Sequence, residues 1–565
     1  MKSKKTNLLV NLAFLVLTFV YMYSFIKLGN FNVQSDASFH LQRANEIYQN
    51  LKSGSLFTFI STHSFGNSGV GSFLFYPSVP LYILAFLRLT FNPITSIYLW
   101  IGLFMFLTQA IAFFAMQRFS SNNVRAFIFA ELYSIAPYHL YLGLWNSVWG
   151  EFTAYTFIPL VFLGIYEILW KNKNNSWIIL AIGMSLLCYC HVVTTYIATA
   201  LCILLFVIKL IISKINKLQF VSLIKAGLLT IILSGWEFIP FLTDYIGKKI
   251  ISPKPCFYFV EDLGNLIADS FSNNLHQNLG IILIITLIVG SAFKCVQQST
   301  SELSIYFLGS FLTICASSII PYTLLSNNKI ALYTLGNIQF PYRLLSFSGL
   351  FLSATASLII SGFLKDFSNK SKKIILFGMA ILSMIFYFGT IQPELNLIGE
   401  NSKENTLKKA NFNNRHLIPQ PILINKHNYR YLVNYNTSTG NEDYYPQKAI
   451  KYSDSILNGQ TFIGNKLIKI SRVSKPNFEK FKLITDKTNK LNTPIIAYSR
   501  TYVKVNGKKQ KFKISNRGTV EIQLNKGKNV IQIGYKPSKL YYLGFIIAIL
   551  GWVSLIIKIF IKSKI

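Results

Sequence analysis

The sequence predicts an all-α bundle of membrane-spanning helices with a small β-rich domain placed before the last helix. The 565 residues are 52% hydrophobic and only 13% charged, and apolar runs of about 20 residues, the length that crosses a bilayer, recur along the chain. Towards the C-terminus, one segment alternates apolar with polar residues between tight-turn signals, which is typical of antiparallel strands. These observations predict a polytopic membrane protein with a domain outside the membrane.

Each apolar run predicts one span, about twelve in all. The first run follows the basic start MKSKK, and it is long and has no small-residue cleavage site after it. We therefore expect a retained anchor rather than a cleaved signal peptide. The predicted spans lie near residues 8–28, 96–117, 124–142, 151–170, 176–190, 192–213, 221–241, 279–294, 304–325, 343–363, 373–391 and 541–561.

Basic clusters between these spans predict the orientation. All of them fall on one side, which the positive-inside rule makes cytoplasmic, so both termini are expected in the cytoplasm. This holds only if residues 77–92, a short proline-bounded segment carrying Arg88, form a surface or half-inserted helix rather than a span. Residues 1–391 then form a transmembrane domain with an outer loop at 29–95. The clusters are Lys2 to Lys5, Arg118 with Arg125, Lys171 with Lys173, Lys209 to Lys217, Lys365 to Lys373, and Lys558 to Lys564.

Residues 392–539 have a different composition and are predicted to form an extracellular β-rich domain, followed by a C-terminal transmembrane helix at 540–565. The turn signals are Asn506-Gly507, Arg517-Gly518 and Lys526-Gly527. From residue 394 to residue 539 there are 27 Lys plus Arg against 9 Asp plus Glu. Because this domain is predicted to lie outside, the positive-inside rule does not explain the surplus. An anionic polymer is the expected partner, with a solvated basic surface as the alternative.

Polar and charged side chains collect at the predicted outer ends of the spans, where unpaired charge near a bilayer is costly. The outer loop begins with QSDASFHLQRANEIYQNLKSG, which predicts an amphipathic helix lying on the membrane surface with Asp36, His40 and Arg43 on one face. The other groups are His139 with Glu151, His191 with Thr194 and Thr195, Glu237 with Asp244 and Lys248, and Gln339 with Arg343.

Each of these groups has a structural alternative. Asp36 is a favoured residue type for capping a helix, and His139 and His191 are as readily explained as interfacial side chains bonded to carbonyls. Arg343 could reach lipid phosphate. What favours function is that segments from five regions of the chain are all predicted to face one side of the membrane.

A carboxylate and an arginine on that side provide the chemistry for sugar transfer. The carboxylate can take a proton from an acceptor hydroxyl, and the guanidinium can hold a phosphate leaving group. No phosphate-binding P-loop and no dinucleotide fingerprint competes with this interpretation, and nucleic acid is not an expected partner.

Five stretches resemble the YfhO-type bacterial membrane proteins, also labelled 6-pyruvoyl-tetrahydropterin synthase-related membrane proteins. The resemblance covers nearly the whole chain. The stretches are SDASFHLQRANEIYQNLKSG, APYHLYLGLWNSVWGEFTAYTFIPLVFLGIYEIL, CHVVTT, NIQFPYRLL and the closing VKVNGKK…VEIQLNKGKNVIQIGYKPS.

This resemblance implies a GT-C architecture and sugar transfer from a polyprenyl-phosphate donor. It places Asp36 at the acid position of the first outer loop and Glu151 at that of the second. Asn146 and Ser147 stand where the family often has an arginine, so the phosphate contact is expected from Arg343 or Arg43. The cysteines and histidines form no pattern of a soluble pterin enzyme.

The leading hypothesis is an outer-face glycosyltransferase that transfers a sugar from a polyprenyl phosphate to an anionic cell-envelope polymer held by the β domain. Asp36 and Glu151 are the candidate catalytic residues. A transporter or flippase for a lipid-linked glycan, or a non-catalytic assembly protein, are the alternatives. No metal or other cofactor is expected, although Asp36 and Glu151 could share a divalent ion. The candidate substrate-binding residues are His40, Arg43, His139, His191, Gln339 and Arg343.

Overall fold

The computed structural model describes residues 2–251, 255–256, 259–400, 422–433 and 442–564. Its contacts divide the chain into two compact units. The first unit comprises Met1–Asn32, Ile97–Leu229 and Lys254–Ser402, and the second comprises Val33–Ser96, Thr230–Pro253 and Lys403–Ile565.

Within the described residues, seven helices are long and apolar enough to cross a membrane, or eight if one bent pair is counted as a span. The prediction of a polytopic helical membrane protein is therefore confirmed, but the count of about twelve spans is not. The seven are Thr6–Leu28, Pro93–Ser120, Val192–Ile212, Lys217–Phe238, Pro341–Phe363, Asn369–Gly399 and Lys539–Lys558, and the bent pair is Trp149–Tyr155 with Ile158–Leu169.

The other predicted spans fall on helices that are short or broken. The run at 124–142 is interrupted because Pro137 cannot continue the helix Asn123–Ser134 and instead starts the turn Pro137–Leu140. The bent pair breaks just before Pro159, which lies in the first turn of the helix Ile158–Leu169. Three further apolar helices are shorter than 18 residues: Asn174–Cys190, Ile281–Ala292 and Thr300–Ala316.

Shorter helices complete the first unit. They are Tyr141–Trp145, Leu263–Ser272, Lys294–Gln297, Tyr322–Leu325, Lys329–Thr334 and Leu335–Ile338. The helix that begins at Pro341 has a 3-10 first turn, Pro341–Leu344, and continues as Leu345–Phe363.

A buried carboxylate joins three helices of the first unit. Glu131 accepts hydrogen bonds from Gln109 Nε2 at 3.0 Å and from the Tyr21 hydroxyl at 3.3 Å. Tyr21 also lies 3.2 Å from the Ser383 hydroxyl and stacks on Tyr387. A carboxylate in an apolar bundle is stable only with such partners, so Glu131 ties these helices together.

The helices of the second unit are mostly short. Val79–Leu87, inside the segment 77–92, has nine residues and is too short to cross a bilayer. The others are Ala37–Lys52, Phe65–Asn67, Ser72–Phe75, Gly235–Phe238, Phe241–Tyr245, Tyr429–Val433, Gln447–Ile450, Ser453–Leu457 and the C-terminal Lys539–Lys564.

The predicted β-rich region is present as two five-stranded antiparallel sheets, ordered β10-β11-β7-β3-β4 and β5-β6-β12-β8-β9. Apolar residues from both sheets, including Phe481, Leu491 and Ile531, form one core between them. The ten strands of these sheets are β3 Thr461–Ile463, β4 Lys466–Ile468, β5 Arg472–Lys475, β6 Phe478–Thr485, β7 Asn489–Ile496, β8 Thr501–Val505, β9 Lys508–Gln510, β10 Lys513–Ile514, β11 Thr519–Leu524 and β12 Gly527–Tyr535. The strands β1 Asn30–Val33 and β2 Ile422–Asn425 lie outside both sheets.

The predicted turns join these strands. Asn506 and Gly507 both have positive φ, 49° and 82°, which matches the turn that favours Asn-Gly between β8 and β9. Gly518 and Gly527 also have positive φ, at 71° and 99°, before β11 and at the start of β12.

The β region shares a second core with the first outer loop. Phe59, Phe65 and Tyr76 of the loop pack in one cluster with Tyr498 and Tyr541. The contacts thus group residues 33–96 with the β region, whereas the sequence assigned the loop to the transmembrane domain. Apolar side chains of the loop explain this grouping, because they bury against the β region.

Two buried glutamates lie where the loop meets the β region. Glu46 accepts hydrogen bonds from the Thr62 and His63 amides, at 2.9 and 2.7 Å, and from the Ser64 hydroxyl at 2.9 Å. Its Oε1 also lies 3.1 Å from His63 Nδ1. Glu479 is 1% exposed and accepts one hydrogen bond, from Ser474.

Candidate functional site

An ion pair between Glu151 and Arg343 lies in the first unit, where both side chains are at most 8% exposed. Glu151 is in the first turn of Trp149–Tyr155, and Arg343 is in the 3-10 turn that begins the helix after Pro341. Arg343 Nε lies 3.3 Å from Glu151 Oε2, without the geometry of a hydrogen bond. The sequence named both residues, and the structure brings them together.

Two hydroxyl groups hold the other oxygen of Glu151. The Tyr138 hydroxyl donates to Oε1 at 3.0 Å and the Ser346 hydroxyl at 2.9 Å. Sequence reasoning missed both residues. Ser346 follows Arg343 by three positions on a helix, a spacing that could have indicated a shared face.

Gln339 orients the guanidinium of Arg343. Its side-chain oxygen accepts from Arg343 Nη1 at 2.7 Å, and the Ile338 carbonyl accepts from the same nitrogen at 3.2 Å. Gln339 has a φ of 65°, an uncommon backbone conformation for a residue other than glycine. Among the described residues, Nη2 of Arg343 has no hydrogen-bond partner, so this nitrogen can bind an anion.

His139 and His191 lie in the same unit with local contacts. His139 Nδ1 is 2.7 Å from the Ser134 carbonyl, and the imidazole stacks on the Phe152 ring. His191 precedes the helix Val192–Ile212, and its Nδ1 accepts from the Thr194 amide at 3.3 Å, which makes it the N-cap. The His139 contact matches the structural alternative of a bond to a carbonyl, whereas His191 caps a helix instead; the predicted substrate contacts of both stay predictions.

Asp36, His40 and Arg43 belong to the second unit. Asp36 stands before the helix Ala37–Lys52, yet its side chain makes no capping hydrogen bond. Capping therefore does not account for this half-buried carboxylate. The structure thus weakens the structural alternative that the sequence left open for Asp36.

Arg43 is fully buried rather than lying on a membrane surface, which corrects the expected surface helix. Its Nη2 donates to the Tyr76 and Pro77 carbonyls at 2.8 and 2.9 Å, and its guanidinium lies 4.8 Å from the Tyr76 ring centre. Burial lowers its pKa to about 10. Burial, and then the charge of Arg43, hold the pKa of His40 well below its usual range, so His40 is neutral at pH 7.

One group of the described residues could hold a metal ion. Glu261, Asp269 and His276, all in the first unit, offer ligand atoms within 4.8 Å of one another. Burial, followed by the charges of Asp269 and Asp262, raises the pKa of Glu261 to about 7. Asp269 Oδ2 lies 3.3 Å from His276 Nδ1. Sequence reasoning did not single out these three residues as ligands.

Residues 73–391, more than half of the chain, match the family described as "6-pyruvoyl-tetrahydropterin synthase related domain; membrane protein". A curated relative, an uncharacterized protein of Lactococcus lactis subsp. cremoris (strain MG1363), is 24% identical over 237 residues. This alignment covers 40% of the chain and 38% of the relative, so the chain matches less than half of that protein.

Proposed function

The chain belongs to the 6-pyruvoyl-tetrahydropterin synthase-related membrane protein family, and we propose that it is a glycosyltransferase that moves a sugar from a polyprenyl phosphate to an anionic cell-envelope polymer. The observation that carries the proposal is the Glu151–Arg343 ion pair, with Nη2 of Arg343 left for an anion. The arginine lies in the first turn of a candidate span, where a lipid-linked phosphate would be bound.

In the proposed reaction, an acceptor hydroxyl oxygen forms a bond to the anomeric carbon of the sugar. The bond from that carbon to the phosphate oxygen breaks, and the polyprenyl phosphate leaves with the electron pair. Arg343 stabilises the charge on the leaving phosphate with charge-assisted hydrogen bonds. The acceptor proton passes to a carboxylate, which we assign to Asp36 because the family resemblance implies that it takes the acid position of the first outer loop.

Glu151 has a different part in this proposal. It already accepts two hydroxyl hydrogen bonds and faces Arg343, so it is better suited to orient the guanidinium than to receive a proton. We therefore assign proton transfer to Asp36 and positioning to Glu151. The cytoplasmic orientation of the basic clusters, which puts these groups on the outer face, is part of the same proposal.

The first experiment compares the cell-envelope polymers of strains with and without the gene by mass analysis, which identifies the sugar. Asp36→Asn should then lower transfer by roughly 10² to 10⁴, the usual value of a positioned base. Asp262→Asn is the matched control, because Asp262 does cap its helix, through the amides of Gly264 and Asn265. It should leave transfer unchanged. Near-normal transfer by a stably inserted Asp36→Asn protein would refute the assignment.

A second pair of variants tests the arginine. Arg343→Gln keeps hydrogen-bond donors but removes the charge, so we expect donor saturation at higher concentration and slower transfer. Arg343→Lys keeps the charge without the planar fork and should retain more activity. Equal activity of both variants and the wild type would remove Arg343 from donor binding.

A transporter or flippase for a lipid-linked glycan is the second candidate. Glu131 is a buried acid in the helical unit, as a transport pathway requires. Both of its oxygens, however, accept hydrogen bonds that join helices. Movement of labelled lipid-linked glycan across vesicles without sugar transfer would favour the transporter.

A further inference from the structure

One face of the sheet β5-β6-β12-β8-β9 carries a continuous row of side chains across all five strands. Directly opposed residues in antiparallel strands point to the same face. The strand registers align Val473, Lys480, Gln532, Lys504 and Lys509 in that order. Neighbouring strands are about 4.8 Å apart, so the row extends for roughly 19 Å.

This face is basic and has no acidic side chain among its described residues. Lys482 opposes Val530, and Lys528 opposes Ile484, which adds two lysines to the three of the row. Lys482, Lys504, Lys509 and Lys528 are exposed. The one acid of these strands, Glu479, alternates to the other face and is buried.

Half-buried aromatic rings lie beside the lysines. Gly534 stands between Phe478 and Tyr502 in the register, and a side chain at this position would collide with both neighbours. Gln532 donates to the Tyr502 hydroxyl at 2.8 Å, and Lys480 Nζ lies 5.6 Å from the Phe478 ring centre. The surface therefore offers hydrogen-bonding groups next to positive charge.

The arrangement has a cost that favours an anionic partner. Lys504 and Lys509 are directly opposite each other, and like charges in this position destabilise a sheet. A chain of negative groups running across the strands would neutralise both and reach Lys480 in the same row. Flat aromatic faces beside such groups suit sugar rings.

We propose that this face binds the acceptor, an anionic polymer that contains both sugar or polyol units and phosphate. The inference rests on the proposed function and assigns the partner to a defined surface. An anionic membrane surface fits less well, because Gln532 within the row and Tyr502 beside it offer hydrogen-bonding groups. The exposed apolar side chains of this face, Val473 and Ile484, are four positions apart in the register and form no continuous apolar patch.

The test measures binding of the full-length protein in nanodiscs made of neutral lipid. The probes are poly(glycerol phosphate), neutral dextran of similar length, and vesicles containing phosphatidylglycerol. The face variant carries Lys480→Gln, Lys504→Gln and Lys509→Gln. The control variant carries Lys466→Gln, Lys490→Gln and Lys513→Gln, which remove the same charge from exposed positions of the other sheet.

We expect the wild type and the control to bind poly(glycerol phosphate), and the face variant to bind it at least about tenfold more weakly at low salt, with a reduced salt dependence. Equal weakening by the two variants, no binding by the wild type, or binding of anionic vesicles in preference to the polymer would each overturn the proposal. Because this assay needs no sugar transfer, its failure is distinct from a failure of the Asp36→Asn experiment.

Discussion

Replacing Glu479 by Gln should stabilise the β region at pH 8 and have little effect near pH 4. Burial is the largest cause that raises the pKa of Glu479, and the net pKa is about 7. The Ser474 hydrogen bond, the Arg472 charge and the His63 charge oppose this increase, whereas the Glu46 charge adds to it. A carboxyl whose pKa is raised on folding contributes stability below its unfolded pKa, and that stability is lost as the pH rises through about 7.

The magnitude follows from this pKa. A difference from the ordinary value of 4.5 to about 7 corresponds to about 3 kcal/mol between the charged and neutral forms. Gln keeps the oxygen that accepts from Ser474 but carries no charge. At pH 8, the variant should therefore unfold at a temperature roughly 6 to 12 °C above the wild type.

The assay is thermal unfolding of the purified full-length protein, followed by protease cleavage of the β region at several pH values. Glu521→Gln, at a half-buried carboxylate on β11, is the matched control and should shift unfolding by less than about 2 °C. Burial alone would lower the pKa of His63, but the hydrogen bond and charge of Glu46 outweigh burial, so its net pKa is raised. The stability that His63 contributes is therefore also lost as the pH rises. A Glu479→Gln protein no more stable than the wild type at pH 8 would refute this reasoning.

Three further predictions concern the first unit. His191→Asn should retain transfer, because Asn also caps helices, whereas His191→Ala should lose about 1 kcal/mol of stability; loss of transfer in a stable Asn variant would restore the substrate-binding role. Glu131→Gln should insert and fold normally, while Glu131→Leu should lower thermal stability because it strands the hydrogen-bond partners of Glu131; equal stability of the two would contradict the packing role. Chelation by EDTA should leave transfer within about twofold, because Arg343 can neutralise a monophosphate. A loss of transfer in the wild type that Mn²⁺ restores, with no such response to EDTA and Mn²⁺ in a Glu261→Gln variant, would instead assign a metal to the Glu261 group.

The sequence predicted those parts of the fold that depend on local patterns. Turn residues such as Asn506 and Gly507 determine a hairpin by their own backbone preference, so the strands of the β region were predictable. Apolar length did not determine the number of spans, because Pro137 divides one apolar run into the short helices Asn123–Ser134 and Pro137–Leu140.

The candidate site was predictable in its charged members and not in their partners. Gln339 and Arg343 are four residues apart, so their contact could be expected from the sequence. Ser346 is separated from Glu151 by 195 residues, and no periodic pattern relates them. The burial of Arg43 was also hidden, because its charge suggested an exposed face while the aromatic rings around it come partly from residues 73–76.

The shared core of the outer loop and the β region has a consequence for biosynthesis. Asn477 accepts a hydrogen bond from the Phe59 amide across 418 residues, so the loop leaves the ribosome long before its partner exists. Closing a segment over such a distance is slow, and the apolar side chains of the loop stay exposed until the last fifth of the chain has been translated. We therefore expect a chain that stops after residue 402 to insert its helices but to leave residues 33–96 sensitive to protease. If the loop is equally protected in the truncated chain, its folding does not wait for the C-terminal region.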